Sequence, residues 1–214
     1  MHVIRVAEAG VDAALAEAAA VIRSGGVVIY PTETFYAVGV NALDPEAVKR
    51  VFLLKGRAFD MPLSVIIHDK SELSRYVVGL DGLTSGYADR LMPGPVTVVF
   101  QAGPCFPDTV TAGTGTIAIR IPLHEIAAGL ARAAGVPVTA TSANLSGMPG
   151  ITSPAEAEKV FGGAEILVLD GGETPGGRPT TLVDLTVRPP GILRVGSLSG
   201  EAVSNLLGGG PDRR

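Results

Sequence analysis

The stretch VTATSANLSG, residues 138–147, begins as a β-strand and ends as a loop of hydroxyl and amide side chains. Its first four residues are mostly β-branched, as in strands, whereas Ser142 and Asn144 belong to residue types that favour turns and caps. A core strand that ends in these polar groups brings them to the edge of a sheet. In open α/β sheets ligands bind in the crevice beside such strand ends. The stretch therefore predicts an α/β fold with a candidate binding site directly after one strand.

The overall composition is that of one compact domain. The chain has 214 residues, 46% of them hydrophobic and 18% charged, which is enough for a sizeable core. The net charge is −4, so no overall positive field attracts nucleic acid or acidic membranes, and any RNA contact must be local. We expect residues 1–208 to form the domain and residues 209–214 to form a flexible tail.

Cysteine usage and the N-terminal segment narrow the protein class further. Cys105 is the only cysteine, which excludes an internal disulfide and zinc sites built on Cys-x-x-Cys pairs. The three histidines show no metal-ligand spacing, so we expect no metal site made by protein ligands. Charged residues interrupt the N-terminal segment, which rules out a signal-peptide core or a membrane span there. We therefore expect a cytoplasmic protein with no membrane association.

Helical and strand patterns alternate along the chain, but several strands follow one another without a helix between them. This order predicts a single α/β domain with a mixed β-sheet flanked by helices. The predicted strands are residues 27–30, 36–42, 62–67, 93–100, 116–121, 138–141, 166–170, 181–186 and 192–196. The predicted helices are residues 11–24, 45–55, a weak one starting at 71, 80–91, 123–134, 154–161 and 199–207.

Arg120 is the most informative charge in the sequence, because it interrupts the apolar strand TIAIRI. A buried charge without a partner costs several kcal/mol, so an anionic partner is expected. That partner is either a structural carboxylate such as Asp170 or Asp184, or the anionic group of a ligand. The one acid of the PTET stretch, Glu33, is either a local acid or base, or a solvated turn residue.

Other polar groups also follow the predicted elements, and each has an ordinary structural interpretation when taken alone. The segment 31–34 suits a turn, and Lys55 and Arg57 suit the C-terminus of a helix, whose dipole favours cations. Together, however, hydroxyls and cations at several element ends suit a ligand that carries phosphates and a carboxylate. The sequence contains neither a P-loop nor a Rossmann glycine motif, so a phosphate site would be of another kind.

Six motifs, in this order and spacing, resemble the YrdC family of L-threonylcarbamoyladenylate synthases. The resemblance extends from about residue 22 to residue 198, and the combination of K-x-R with S-x-N is its most specific part. The motifs are YPTETFYAVGVNAL, LKGRAFDMPLSVII, LMPGPVTVVF, AIRIP, TSANLSGMP and ILRVGSL.

The resemblance implies a twisted mixed sheet with a large concave cavity and a nucleotidyltransferase reaction. L-Threonine, bicarbonate and ATP would give threonylcarbamoyl-AMP and pyrophosphate, with Mg²⁺ bridging phosphate oxygens. Partner proteins would then use the product to modify tRNA adenosine next to the anticodon. The resemblance assigns Lys55 and Arg57 as catalytic groups and a larger set to ATP: Lys55, Arg57, Thr116, Ser142, Asn144, Gly150 and Arg194. It assigns Thr34, Arg120 and Thr180 to threonine.

Four positions depart from the family pattern, and two other functions stay open. Ala37 and Met61 stand where glycine and asparagine are usual, Ile66 where histidine is common, and Thr180 where serine is usual. Loss of polar contacts at Met61 and Ile66 leaves amino-acid selectivity open. The alternatives are an RNA-binding module of the same fold, with weak tRNA or double-stranded RNA binding, and a carbamoyl-adenylate-handling enzyme. The chain ends soon after the last motif, which predicts a domain without the extension that closes the cavity in some relatives.

Overall fold

A computed structural model describes residues 1–208 of the chain, and the predicted tail, residues 209–214, lies outside the described residues. The strands are β1 (His2–Arg5), β2 (Val27–Pro31), β3 (Tyr36–Gly39), β4 (Ser64–Ile66), β5 (Val77–Val78), β6 (Val96–Ala102), β7 (Thr116–Arg120), β8 (Val138–Thr139), β9 (Thr141–Ser142), β10 (Ile166–Asp170), β11 (Thr181–Asp184) and β12 (Gly191–Arg194). The helices are α1 (Val6–Ala9), α2 (Val11–Arg23), α3 (Pro45–Lys55), α4 (Leu73–Tyr76), α5 (Gly82–Leu91), α6 (Asp108–Thr111), α7 (Glu125–Ala134), α8 (Pro154–Phe161) and α9 (Gly200–Leu206), with a 3-10 turn at Lys70–Glu72. Within residues 1–208 no helix is both long and apolar enough to cross a bilayer.

The strands form two mixed sheets, where the sequence predicted one. One sheet has the order β1-β10-β2-β3-β9, and the other has the order β12-β11-β6-β7-β4-β8 with β5 beside β6. Both contain parallel and antiparallel pairs. The predicted mixed α/β class with flanking helices is confirmed, and the prediction of a single sheet is wrong.

The stretch 138–142 explains the second sheet, because it changes partner halfway along its length. Its first part, β8, pairs with β4 in one sheet, and its second part, β9, pairs with β3 in the other. The buried Thr139 closes the seam between the two sheets, since its hydroxyl donates to Val38 O and accepts from Val40 N. The strand therefore joins the two sheets and ends at Ser142 between them.

Helices cover both faces of the sheets, so the core has two separate halves. Along β2, Val27 and Ile29 face one half while Val28 and Tyr30 face the other, as the two-residue period of a strand requires. The first half contains apolar side chains from α3, α5, α8 and α9, and the second contains those from α2 and α7. This is the layered arrangement typical of α/β domains.

Local signals fix the ends of α3 and so place two candidate site residues. The Asp44 side chain accepts hydrogen bonds from the backbone N–H groups of Glu46 and Ala47, and Pro45 occupies the first turn. Gly56 ends the helix in the left-handed conformation at φ 58°, which glycine adopts without steric cost. Lys55 therefore lies on the last turn of α3, and Arg57 follows the cap.

Gly39 is required where the two sheets meet, and we expect Gly39→Ala to destabilise the fold. A Cβ at this position would lie 2.7 Å from Tyr30 Cε1 and 2.8 Å from Val138 Cγ1, both in fully buried side chains. Overpacking of this kind costs about 1–3 kcal/mol, which urea denaturation would measure. Gly82→Ala is the control, because nothing lies within 4 Å of its added Cβ and alanine is the better helix former. Equal midpoints for wild type and Gly39→Ala would contradict this account of the seam.

Candidate active site

A cavity of about 420 Å³ is lined by residues from both sheets. Strand β7 shows how the sequence produces it: Thr116, Ala118 and Arg120 line the cavity, while Ile117 and Ile119 point into the core. Arg120 interrupts the apolar run because it lies on the cavity face of a strand with a two-residue period.

Seven of the ten predicted site residues line this one cavity. They are Thr34, Arg57, Thr116, Arg120, Ser142, Thr180 and Arg194. Three of these are arginines, and within residues 1–208 the lining includes no aspartate or glutamate. The cavity therefore has the charge that suits an anionic ligand. Lys55, Asn144 and Gly150 lie beside the cavity and do not line it.

The anionic partner of Arg120 is Glu33, and not Asp170 or Asp184. Arg120 Nη2 lies 2.5 Å from Glu33 Oε2, and the side chain of Arg120 is 9% exposed. Arg120 Nε also donates to Gly94 O at 3.3 Å. The suggestion that Glu33 is a solvated turn residue is therefore wrong, since its carboxylate forms a largely buried ion pair.

Glu33 is held from its other side by the segment that starts α7. Its Oε1 accepts hydrogen bonds from Leu123 N at 2.6 Å and from His124 N at 3.0 Å. Burial alone would raise the pKa of Glu33, but the Arg120 guanidinium and the backbone N–H donors outweigh it and lower the pKa below its usual value. The carboxylate is therefore ionised near neutral pH.

Lys55 is buried at 2% exposure, and its ammonium donates hydrogen bonds to oxygen atoms of the protein. Its Nζ donates to Ser142 O, to Asn144 O at 2.7 Å and to Asn144 Oδ1 at 3.2 Å. An ammonium has three N–H donors, so these acceptors can use all of them. Burial, with a smaller contribution from the Arg57 charge, lowers the pKa of Lys55 to about 8. In this structure Lys55 ties the end of α3 to the segment after β9.

The polar groups of the opening motif do not all reach the cavity. Ser142 lines it, and the Ser142 hydroxyl donates to Asn144 Oδ1 at 2.5 Å. The Asn144 amide nitrogen donates to Leu145 O and Met148 O, so this side chain organises the loop. Gly150 packs closely against Phe35, which lines the cavity: a Cβ at Gly150 would lie 2.8 Å from Phe35 Cδ1.

Arg57 lines the cavity and has an N–H donor without a partner among the described residues. Its Nη2 donates to Pro62 O at 3.1 Å, but its Nε is buried and has no hydrogen-bond partner among the described residues. Burial lowers the pKa of the Arg57 guanidinium from its usual value, although arginine remains charged at physiological pH. A buried guanidinium nitrogen without a partner is a site at which an anion would be stabilised.

Several hydroxyl groups in the cavity were not predicted from the sequence. Thr97 Oγ1 lies 2.7 Å from Thr180 Oγ1, and Thr97 is nearly fully buried. Ser64 also lines the cavity, as does Thr32, which belongs to the polar segment 31–34 that the sequence had indicated. The signal for Thr97 is the same as for Arg120, a polar residue inside a β-branched run, and it was missed because threonine is itself a common strand residue.

Carboxylate or histidine clusters suited to a metal ion do not occur in residues 1–208. No group of three or more His, Cys, Asp or Glu side chains is close enough there to hold one. The residues of the cavity therefore fit a phosphate-bearing ligand better than a protein-bound metal.

The family model described as Sua5/YciO/YrdC, telomere recombination, matches residues 20–196. The threonylcarbamoyl-AMP synthase of Pyrococcus abyssi is 41% identical over 191 residues, covering 89% of this chain and 56% of the relative. The synthase of Bacillus subtilis is 39% identical, covering 92% and 57%. The crystal structure of P. abyssi Sua5 complexed with L-threonine is 40% identical with a TM-score of 0.86, covering 91% of this chain and 57% of that one.

These matches cover nearly all of the present chain, which spans less than three-fifths of the length of the two curated relatives. The family model matches most of the sequence, and the fold agrees with that of the solved structure. The chain belongs to the Sua5/YciO/YrdC family.

Proposed function

We propose that the chain is an L-threonylcarbamoyladenylate synthase that forms threonylcarbamoyl-AMP and pyrophosphate from L-threonine, bicarbonate and ATP. The observation that supports it best is one cavity that contains Arg57, Arg120 and Ser142 together. These residues come from three distant parts of the sequence, each carrying one of the family motifs. Two relatives that are about 40% identical are threonylcarbamoyl-AMP synthases, and a third match is a complex with L-threonine.

Different residues of the cavity would bind the two substrates. Arg120 would bind the carboxylate of threonine, with Thr34 and Thr180 nearby for its polar groups. Arg57, Arg194, Thr116 and Ser142 would bind the nucleotide. Lys55 and Asn144 would act mainly by holding the Ser142 segment in place, and direct contact of either with phosphate stays a prediction.

The reaction would proceed in two steps whose atoms balance. The amine of threonine adds to bicarbonate with loss of water to give a carbamate. A carbamate oxygen then attacks the α-phosphorus of ATP, and pyrophosphate leaves. The protein's contribution would be to position the reactants and to neutralise negative charge. Loss of one such cation costs about 2.7–4 kcal/mol in the transition state.

Mg²⁺ would enter as part of the nucleotide substrate. The described residues offer no carboxylate cluster for it, so its ligands would be phosphate oxygens and water. Transfer of the product to tRNA would need partner proteins, and the proposal places the reaction in the cytoplasm.

Pyrophosphate release tests the proposal. We expect release only when L-threonine, bicarbonate and ATP are all present, and much slower release when L-serine replaces L-threonine. Equal release with serine would overturn the threonine assignment, and no release with any amino acid would overturn the synthase assignment. Salt-sensitive tRNA binding that needs no ATP and survives Arg57→Ala would instead favour the RNA-binding alternative.

A further inference from the structure

Glu33 does not line the cavity, but its carboxylate contacts one residue that does, Arg120, and the backbone segment that precedes α7. Its position in the chain is the loop between β2 and β3. Its carboxylate reaches Arg120 at the end of β7 and the backbone N–H groups of Leu123 and His124 before α7. Only Arg120 of these four residues lines the cavity. Glu33 therefore acts on the cavity only through its neighbours.

Two contacts restrain the Arg120 guanidinium, one a hydrogen bond and the other an ion pair in which the buried Glu33 Oε2 makes no hydrogen bond to any described residue. Nε donates to Gly94 O, and Nη2 forms the ion pair with Glu33. Within residues 1–208 Nη1 makes neither a hydrogen bond nor a salt bridge of its own. A planar guanidinium restrained at two nitrogens presents the third in a defined direction, which is the requirement for recognising a planar carboxylate.

We propose that Glu33 is a positioning residue for amino-acid binding: it orients the Arg120 guanidinium so that the remaining N–H donors face the substrate carboxylate. The inference rests on the proposed function for the identity of the substrate, but the orientation of Arg120 is a property of the protein alone. The Glu33 carboxylate is ionised near neutral pH: burial raises its pKa, but the Arg120 guanidinium and backbone N–H groups lower it by more.

The charge on Glu33 has a second effect on the cavity. It neutralises part of the Arg120 charge before any substrate binds, which weakens the attraction of Arg120 for every anion and most strongly for the multiply charged phosphates of the nucleotide. Arg57 has no comparable carboxylate partner among residues 1–208. The two arginines would therefore differ in preference, with Arg57 favouring phosphate and Arg120 favouring the amino acid.

Glu33→Gln tests the proposal with little change in volume. The amide oxygen can still accept from Leu123 N and His124 N, but the amide nitrogen then faces Arg120 Nη2, donor against donor. We expect the KM for L-threonine to rise about tenfold or more while the KM for ATP changes by less than about twofold, as expected for loss of one charge-assisted contact.

Asp81→Asn is a matched control, because Asp81 also accepts from a backbone N–H group and pairs with an arginine, but it does not line the cavity. It caps α5 by accepting from Thr84 N at 2.7 Å, and it pairs with Arg188. This control should lose some stability and keep both KM values. If Glu33→Gln and Asp81→Asn change the threonine KM equally, the effect is general destabilisation and the proposal is overturned.

A measurement on the substrate-free protein separates this inference from the proposed function. In ¹⁵N NMR spectra the Arg120 Nε–H signal can be assigned by its loss in Arg120→Lys. We expect Glu33→Gln to shift and broaden that signal, because the guanidinium loses one of its two fixed contacts. An unchanged signal would overturn the positioning role whatever the enzyme makes, whereas a shifted signal in a protein without threonine activity would contradict only the proposed function.

Discussion

Arg120→Ala is expected to reduce threonine-dependent pyrophosphate release by about a hundredfold or more, since loss of one preorganised charged donor costs about 2.7–4 kcal/mol. The variant removes the arginine that is predicted to bind the carboxylate of threonine, and it also leaves the carboxylate of Glu33 without its cation. Most of the loss should appear in kcat/KM for threonine, with a smaller change for ATP.

Arg188→Ala is the matched control for this variant. Arg188 also pairs with a helix-capping carboxylate, that of Asp81, but far from the cavity lining. Removing one partner of a largely buried ion pair also lowers stability, by about 3–5 kcal/mol, so urea unfolding of both variants must accompany the kinetics. An Arg120→Ala protein that is folded and retains the wild-type kcat/KM for threonine would show that the amino acid binds elsewhere.

Lys55→Met is expected to slow the ATP-dependent reaction by about a hundredfold to a thousandfold, the range seen when a preorganised group in an active site is lost. The reason is indirect: the ammonium holds Ser142 O and both oxygens of Asn144, and Ser142 lines the cavity. Without it the segment after β9 loses the contacts that fix the Ser142 hydroxyl. Lys49→Met on the same helix is the control, because Lys49 is exposed and pairs only with Glu46.

The pH dependence of this variant has a defined direction. Burial lowers the pKa of Lys55 to about 8, so the wild-type protein loses the ammonium as pH rises through about 8, whereas methionine does not titrate. The ratio of wild-type to Lys55→Met activity should therefore fall across that range, and titration of the threonine amine cancels in the ratio. A ratio that stays constant from pH 7 to about 9 would contradict the role of the ammonium.

The parts of the fold that depend on local chemistry could be predicted from the sequence. The limits of α3 follow from Asp44, Pro45 and Gly56, and those of α8 from Ser153 and the residues after it. Strand β1 was missed, because three of its four residues are exposed and its pairing with β10 depends on residues far along the chain. The change of sheet at residue 140 was missed for the same reason: periodicity shows that a strand exists but not which strand lies beside it.

The candidate site could likewise be predicted only in part from the sequence. A charge inside an apolar strand predicted that Arg120 needs an anion, but only the folded chain identifies Glu33, which occupies a turn far earlier in the sequence. The K-x-R and S-x-N motifs predicted that Lys55 and Asn144 belong to the site. Their side chains hold each other instead of lining the cavity, and this follows from the loop geometry that the residue types alone do not specify.

Incorporation of labelled bicarbonate distinguishes threonylcarbamoyl-AMP synthesis from other ATP-consuming reactions. The protein would be incubated with ATP, L-threonine and ¹³C-bicarbonate, and the nucleotide products would be analysed by mass spectrometry. We expect an adenylate that carries threonine and one ¹³C atom, formed in step with pyrophosphate and absent with Arg120→Ala. Pyrophosphate release without any ¹³C in an adenylate, or a labelled adenylate that forms equally well in Arg120→Ala, would contradict this expectation.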